Sequence, residues 1–135
     1  MHPLMFFKGM DVLVNRKSLR DSVKAYDLCK ERLDMGYSVV IFPEGTIPDT
    51  APELGKFKAG AFKMAKECNA ALLPITFTNN IGLIGRIGAK NFVCKPGKTK
   101  AIIHRAISQE EIQNLPLEEI KDITFARIQS GLKNV

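Results

Sequence analysis

The polar residues with a chemical use stand where an apolar run ends. Glu44-Gly45-Thr46 follows Val39-Val40-Ile41-Phe42-Pro43 and places a carboxylate, a backbone that a ligand can approach closely and a hydroxyl within three residues. Lys56 and Lys58 flank Phe57 ahead of an expected helix, and the backbone donors of a helix N-terminus favour phosphate. Arg16 follows a shorter apolar run and would emerge at the same edge if the two runs are parallel neighbours. Together these groups could hold a phosphomonoester. Residue types alone also allow a plainer reading. A Pro-Glu-Gly-Thr sequence after a strand is more often a turn than a site, Lys56 and Lys58 are more often solvated, and Arg16 is more often a surface cap.

The elements that must position these groups can be read from the pattern. Val12-Leu13-Val14 is a short β-branched run. Ser18 with Asp21 three residues on is a helix start, and Leu19, Val23, Tyr26, Cys29 and Leu33 recur at helical spacing. Gly36 is the expected C-cap, which gives a helix over about 19 to 34. Tyr37 to Phe42 is continuous and apolar, as for a strand covered on both faces. Pro43 to Gly55 is then a loop, and a helix is predicted from about Lys58 to Cys68.

Ala71 to Phe77 reads as a strand in which Pro74 opens or bends the ladder. Residues 79 to 88 carry no clear pattern. Pro96-Gly97 turns into a last strand, Thr99 to Ile107. Ser108 with Glu111 is a capping box for a short helix, and Pro116 suits the first turn of a C-terminal helix. This order predicts a single α/β domain with a parallel or mixed central sheet flanked by helices. Ligands of such sheets sit outside the carboxyl ends of the strands, which is where the Pro43 to Gly55 loop emerges.

Composition narrows the partners. The 135 residues are 45% apolar and 25% charged, enough for one domain with a core, and no repeat or biased tract is present. A net charge of +6 favours anionic partners such as nucleic acid, phosphorylated substrates, acidic carriers or anionic lipid. Arg86, Lys90, Lys95, Lys98, Lys100 and Arg105 form a run without an acidic residue, for which a solvated surface is the plain reading. The scarcity of aromatics near that run, with only Phe92 inside it, and the lack of a docking motif speak against nucleic acid. Cys29, Cys68 and Cys94 have no CxxC spacing, so neither a zinc site nor a disulfide framework is expected; they read as small buried hydrophobes of a reducing compartment. Met1 to Phe7 is apolar but too short to span a bilayer, and no transmembrane segment is expected.

Taken in order, Val39 to Thr46, then Phe57-Lys58-Ala59-Gly60-Ala61, then Leu73-Pro74-Ile75 resemble the conserved blocks of the 1-acylglycerol-3-phosphate acyltransferase family. Gly9 and the apolar run ending in Arg16 are similar to the family's second block, and Pro96-Gly97 to its late region, so the resemblance covers positions 9 to 107. It implies a glycerol-phosphate acyltransferase-like fold and transfer of a fatty acyl group from a thioester, acyl-CoA or acyl carrier protein, to lysophosphatidic acid. The product would be phosphatidic acid, with no cofactor or metal, at the cytoplasmic face of a membrane to which the protein is peripheral. It further implies that Arg16, Glu44 and Gly45 lie on the acceptor's glycerol phosphate and that Leu73, Pro74 and Ile75 form the acyl-donor side; Thr46, Lys56 and Lys58 are candidates for the same acceptor site by their residue types.

Two departures qualify the resemblance. The family's third block continues with arginine after the threonine, where this chain has Ile47-Pro48. The first block, a histidine and an aspartate separated by four residues, supplies the family's general base and its orienter, and the chain has no such pair. Five residues after His2 comes Phe7, and His104, beside Ala101-Ile102-Ile103, is expected to be structural. The expectation is therefore a domain truncated at its N-terminus and inactive by itself, with a noncatalytic lipid- or phosphate-binding module as the alternative. Apolar surface bared by a missing portion would favour self-association.

Overall fold

The computed structural model describes residues 11–12, 18–46, 48, 53–87 and 91–133. The chain divides into two compact units, residues 1–40 and 41–135.

In the first unit, helix α1 spans Leu19–Asp34, as the pattern predicts. The Ser18 Oγ accepts from the Asp21 N–H at 3.2 Å, which satisfies one of the donors left over at a helix start. At the other end Gly36 takes φ +85°, a conformation that costs glycine little. The Tyr37 and Gly36 N–H groups then reach back to the Arg32 and Leu33 carbonyls, both at 2.9 Å, in a Schellman closure. Val23, expected on the apolar stripe, is exposed, while Ala25 is buried. Of the predicted first strand, only Val12 lies among the described residues.

Tyr37 to Phe42 is not the buried strand predicted from its composition. No ladder pairs it among the described residues, and Val40 is 83% and Phe42 71% exposed. β propensity expresses fit to a neighbouring pleated surface, so an apolar run without that neighbour does not become a strand.

In the second unit the order is α2 (Gly60–Glu67), β1 (Ile75–Phe77), α3 (Asn80–Leu83), β2 (Ile84–Ile87), β3 (Asn91–Cys94), β4 (Ala101–Ile103), α4 (Gln109–Asn114) and α5 (Leu117–Lys133). The mixed α/β character holds, but the described strands form two antiparallel ribbons, β1 with β4 and β2 with β3, rather than one central sheet. Ile75 stands opposite Ile103 and Ile84 opposite Cys94. The β1–β4 pairing resumes at Leu72 and Ile107, with residues 104–106 standing against 73–74. Pro74 sits at this bulge, where its missing N–H leaves no gap and its carbonyl still accepts from the His104 N–H at 3.0 Å. The patternless residues 79–88 supply α3 and β2.

The core of this unit is Phe57, Phe62, Ala65, Ile107, Ile112 and Ile120. Phe57 packs with ring centroids 6.2 Å from Phe62 and 5.1 Å from Phe125, so α2 and α5 meet on it. The Lys66 ammonium donates to the carbonyls of Ile112, Gln113 and Leu115 at 2.9, 3.3 and 2.6 Å. It thereby caps the C-terminal end of α4, where a cation is favoured. The capping box at Ser108 and Glu111 forms as the sequence predicts.

Along α5, Gly131 brings the helix against β1. Thr76, 1% exposed, donates its hydroxyl to the Ile128 carbonyl at 3.0 Å and lies 2.8 Å from the His104 Nε2. Because the one hydroxyl proton goes to Ile128, the histidine donates from Nε2 to Thr76. His104 thus ties the end of β4 to β1 and α5, the structural role expected of it; His2 lies outside the described residues. The cysteines depart from expectation, with Cys94 exposed and Cys29 and Cys68 only half-buried; partial burial pushes the Cys29 thiol pKa up.

Candidate functional site

Phe42 to Gly45 is a four-residue turn with proline second and glycine fourth, closed by the Gly45 N–H on the Phe42 carbonyl at 3.0 Å. Pro43 presets the φ of its position, and Gly45 takes φ +70°, which glycine adopts without strain. Two longer links hold the turn. The Lys58 N–H donates to the Pro43 carbonyl at 2.8 Å, and the Gly55 N–H donates to Glu44 Oε2 at 2.6 Å.

Glu44, Gly45 and Lys58 are therefore brought together. The Lys58 side chain lies across Gly45 so closely that a Cβ there would meet its Nζ at 3.0 Å and its Cδ and Cε at 3.2 Å. The positive φ calls for glycine, and a side chain there would also push the exposed Lys58 side chain aside. Glu44 is half-buried and braced by a main-chain donor, which fixes the direction of its carboxylate. Thr46 is exposed beside it. The arrangement offers one cation, one oriented acceptor and an open turn.

The other predicted residues fall elsewhere. Arg16 and Ile47 lie outside the described residues. Lys56 lines a recess of about 360 Å³ with Phe57, Lys121, Asp122 and Phe125, on the α5 side of the unit. Phe57, buried at 7%, anchors the chain between the two lysines. Leu73 and Ile75 are 53% and 38% exposed on the outer face of the β1–β4 ribbon, while Pro74 is buried.

Sequence reasoning missed Gly55, whose N–H closes the loop on Glu44. Its signal was a glycine ending a loop that begins with a carboxylate, but only proximity makes the two partners. A Cβ at Gly55 would lie 3.0 Å from Glu44 Oε2, so this glycine also lets the carboxylate approach.

Residues 4–78 match the family model described as Acyltransferase. The chain is 32% identical over 103 residues to a 1-acyl-sn-glycerol-3-phosphate acyltransferase of Chlamydomonas reinhardtii, covering 76% of this chain and 30% of the relative. It is 36% identical over 96 residues to a chloroplastic 1-acyl-sn-glycerol-3-phosphate acyltransferase of Arabidopsis thaliana, covering 71% and 26%. A 1-acyl-sn-glycerol-3-phosphate acyltransferase of Borreliella burgdorferi is 28% identical over 127 residues, covering 92% and 48%. The chain thus spans less than half the length of these relatives. No solved structure matches it. The family model covers more than half of the 135 residues and includes the Glu44 turn and Lys58, and on that match the chain belongs to the acyltransferase family.

Proposed function

We propose that the turn from Pro43 to Thr46, with Lys58, binds the glycerol phosphate of a lysophosphatidic acid, and that the protein serves synthesis of phosphatidic acid from it. In the full reaction the free hydroxyl of the acceptor attacks the carbonyl of an acyl thioester, on coenzyme A or acyl carrier protein. The new ester forms as the carbon–sulfur bond breaks, the thiolate leaves, and a base takes the hydroxyl proton.

The observation that carries the reading is the Lys58 ammonium lying over Gly45, next in sequence to a carboxylate whose direction the Gly55 N–H fixes. A phosphate would sit on the lysine side, away from Glu44, which would accept from a glycerol hydroxyl. Thr46 would complete the acceptor side, and Leu73, Pro74 and Ile75 would line the acyl-donor side, the first and last of them exposed. The names of the relatives support the acceptor class.

The base is not among these residues. The chain has two histidines, and neither is followed by an aspartate after four residues. The 135-residue chain is therefore proposed to bind acceptor without turning it over, which keeps the noncatalytic binding module as a second reading. Peripheral residence on the cytoplasmic face of a membrane belongs to the same proposal; no helix among the described residues is long and apolar enough to cross one. Exposed Val40, Phe42 and Ile103 support self-association through apolar surface.

The test is a titration of the chain with 1-acylglycerol-3-phosphate and with the monoacylglycerol that lacks the phosphate, followed by calorimetry. Binding of the phosphate form alone is expected, weakened about 10- to 100-fold by Lys58→Met, since hydrogen bonds to charged groups contribute about 1.5–3 kcal/mol. Equal binding of both lipids, or an unchanged Lys58→Met, would sink the reading. Consumption of thioester by the chain alone would refute its proposed inactivity.

A further inference from the structure

Between Glu67 and Glu110 the chain has no acidic residue, and six cations stand in that interval: Arg86, Lys90, Lys95, Lys98, Lys100 and Arg105. Of the 20 Lys and Arg, the 14 outside it equal the 14 Asp and Glu, so the whole formal charge of +6 belongs to this one segment. Large apolar side chains also lie bare in this segment. Phe77 is 41%, Ile84 60% and Ile103 69% exposed.

Hydrogen bonds tie this charge and this apolar surface into one piece. The Thr78 N–H donates to the Lys100 carbonyl at 3.0 Å and the Lys95 N–H to the Leu83 carbonyl at 2.8 Å. Asn79 works from both ends of its amide, donating to the Lys98 carbonyl and accepting from the Lys100 N–H, each at 2.8 Å. The loop 95–100 is thereby fastened to the ends of both ribbons, with Lys95, Lys98 and Lys100 all exposed. A cationic loop held rigidly beside bare Ile and Phe satisfies two requirements of a lipid interface at once. Ammonium groups meet anionic headgroups, and apolar side chains are buried at the acyl boundary. A nucleic acid would use the cations but leave the aliphatic side chains in water.

We propose that the surface of this segment, centred on Lys95, Lys98 and Lys100 and edged by Phe77, Ile84 and Ile103, rests on an anionic phospholipid bilayer. The proposal extends the acceptor reading above, because it states how the domain meets a surface from which a lysolipid is drawn. Leu73 and Ile75, on the same ribbon face as Phe77, would then open toward the acyl layer.

Co-sedimentation of the 135-residue chain with vesicles tests it. Mixed phosphatidylcholine and phosphatidylglycerol vesicles contain no phosphomonoester, so they probe this face and not the Glu44 turn. Binding to the mixed vesicles, little binding to phosphatidylcholine alone and release by salt are expected. The triple variant Lys95→Gln, Lys98→Gln, Lys100→Gln should lower partitioning on the order of 100-fold, at about 1 kcal/mol per basic residue near the surface. Ile84→Ser with Ile103→Ser, both at exposed positions, should lower the salt-resistant part while leaving the circular dichroism spectrum unchanged. Equal binding to neutral vesicles, unchanged partitioning of the triple variant, or retention by duplex DNA at a salt concentration where vesicles are not bound would overturn the proposal. Loss of lysophosphatidic acid binding with vesicle binding intact would remove only the acceptor reading. Loss of vesicle binding with lysophosphatidic acid binding intact would remove only this one.

Discussion

Gly131→Ala is a substitution whose sign the structure reverses. In an exposed helix interior, replacing glycine by alanine stabilises by up to about 1 kcal/mol. At Gly131 the new Cβ would lie 2.8 Å from Thr76 Oγ1, 2.9 Å from Thr76 Cβ and 3.1 Å from His104 Nε2, all inside van der Waals contact. Overpacking of this kind costs about 1–3 kcal/mol. Displacing Thr76 also weakens its bond to the Ile128 carbonyl, which is worth about 1 kcal/mol. The net expectation is a loss of about 1–3 kcal/mol, or a fall in Tm of roughly 5–15 °C for a unit of this size. Gly60→Ala is the control, because nothing lies within 4 Å of its Cβ position. It should stabilise by about 0.4–1 kcal/mol through the unfolded state. Urea denaturation and thermal melting of both variants decide the matter. In a Thr76→Ala background the Gly131→Ala penalty should shrink, since the atom at 2.8 Å is gone. If Gly131→Ala raises Tm as Gly60→Ala does, the close packing of α5 on β1 is wrong.

Other perturbations probe separate links. Lys66→Met should cost about 1–3 kcal/mol by leaving the α4 carbonyls without their cation, and a unchanged urea midpoint would exclude the cap. Gly45→Ala should weaken lysophosphatidic acid binding more than Gly36→Ala does, because it both strains the turn and displaces Lys58, whereas the Cβ position at Gly36 is empty. The Ser108 N–H, followed by the Ser108 hydroxyl and the charges of Arg105 and Arg127, holds the Glu111 carboxyl below its ordinary 4.5. Its contribution is therefore full at pH above that value and lost as pH falls through the lowered folded one. The stability gap between the native protein and Glu111→Gln, followed by denaturation from neutral pH downward, should close in that acid window; a gap independent of pH would contradict it. Size-exclusion chromatography should show concentration-dependent association, reduced by Phe42→Ser, and a monomer at all concentrations would remove that expectation.

The features that were legible in the sequence are those whose partners lie within a few residues. Ser18 with Asp21, Gly36 after α1, Ser108 with Glu111, and the Pro43-to-Gly45 turn were all readable because each closes a ring of backbone and side chain only a few residues long. The three blocks around Glu44, Lys58 and Pro74 marked the family for the same reason, since their order is a property of the chain.

Tertiary structure decided everything that depended on a distant partner. Phe42 and Phe57 are the same residue type, yet one is exposed and the other buried, because only Phe57 meets α2 and α5. Tyr37 to Phe42 has the composition of a strand and no ladder among the described residues. Glu44 finds Gly55 eleven positions on, Lys66 finds the end of α4 more than forty positions on, and Gly131 finds Thr76 across the ribbon. Composition sets which side chains favour burial or pairing, but a hydrogen bond or a buried face exists only where folding brings its second half.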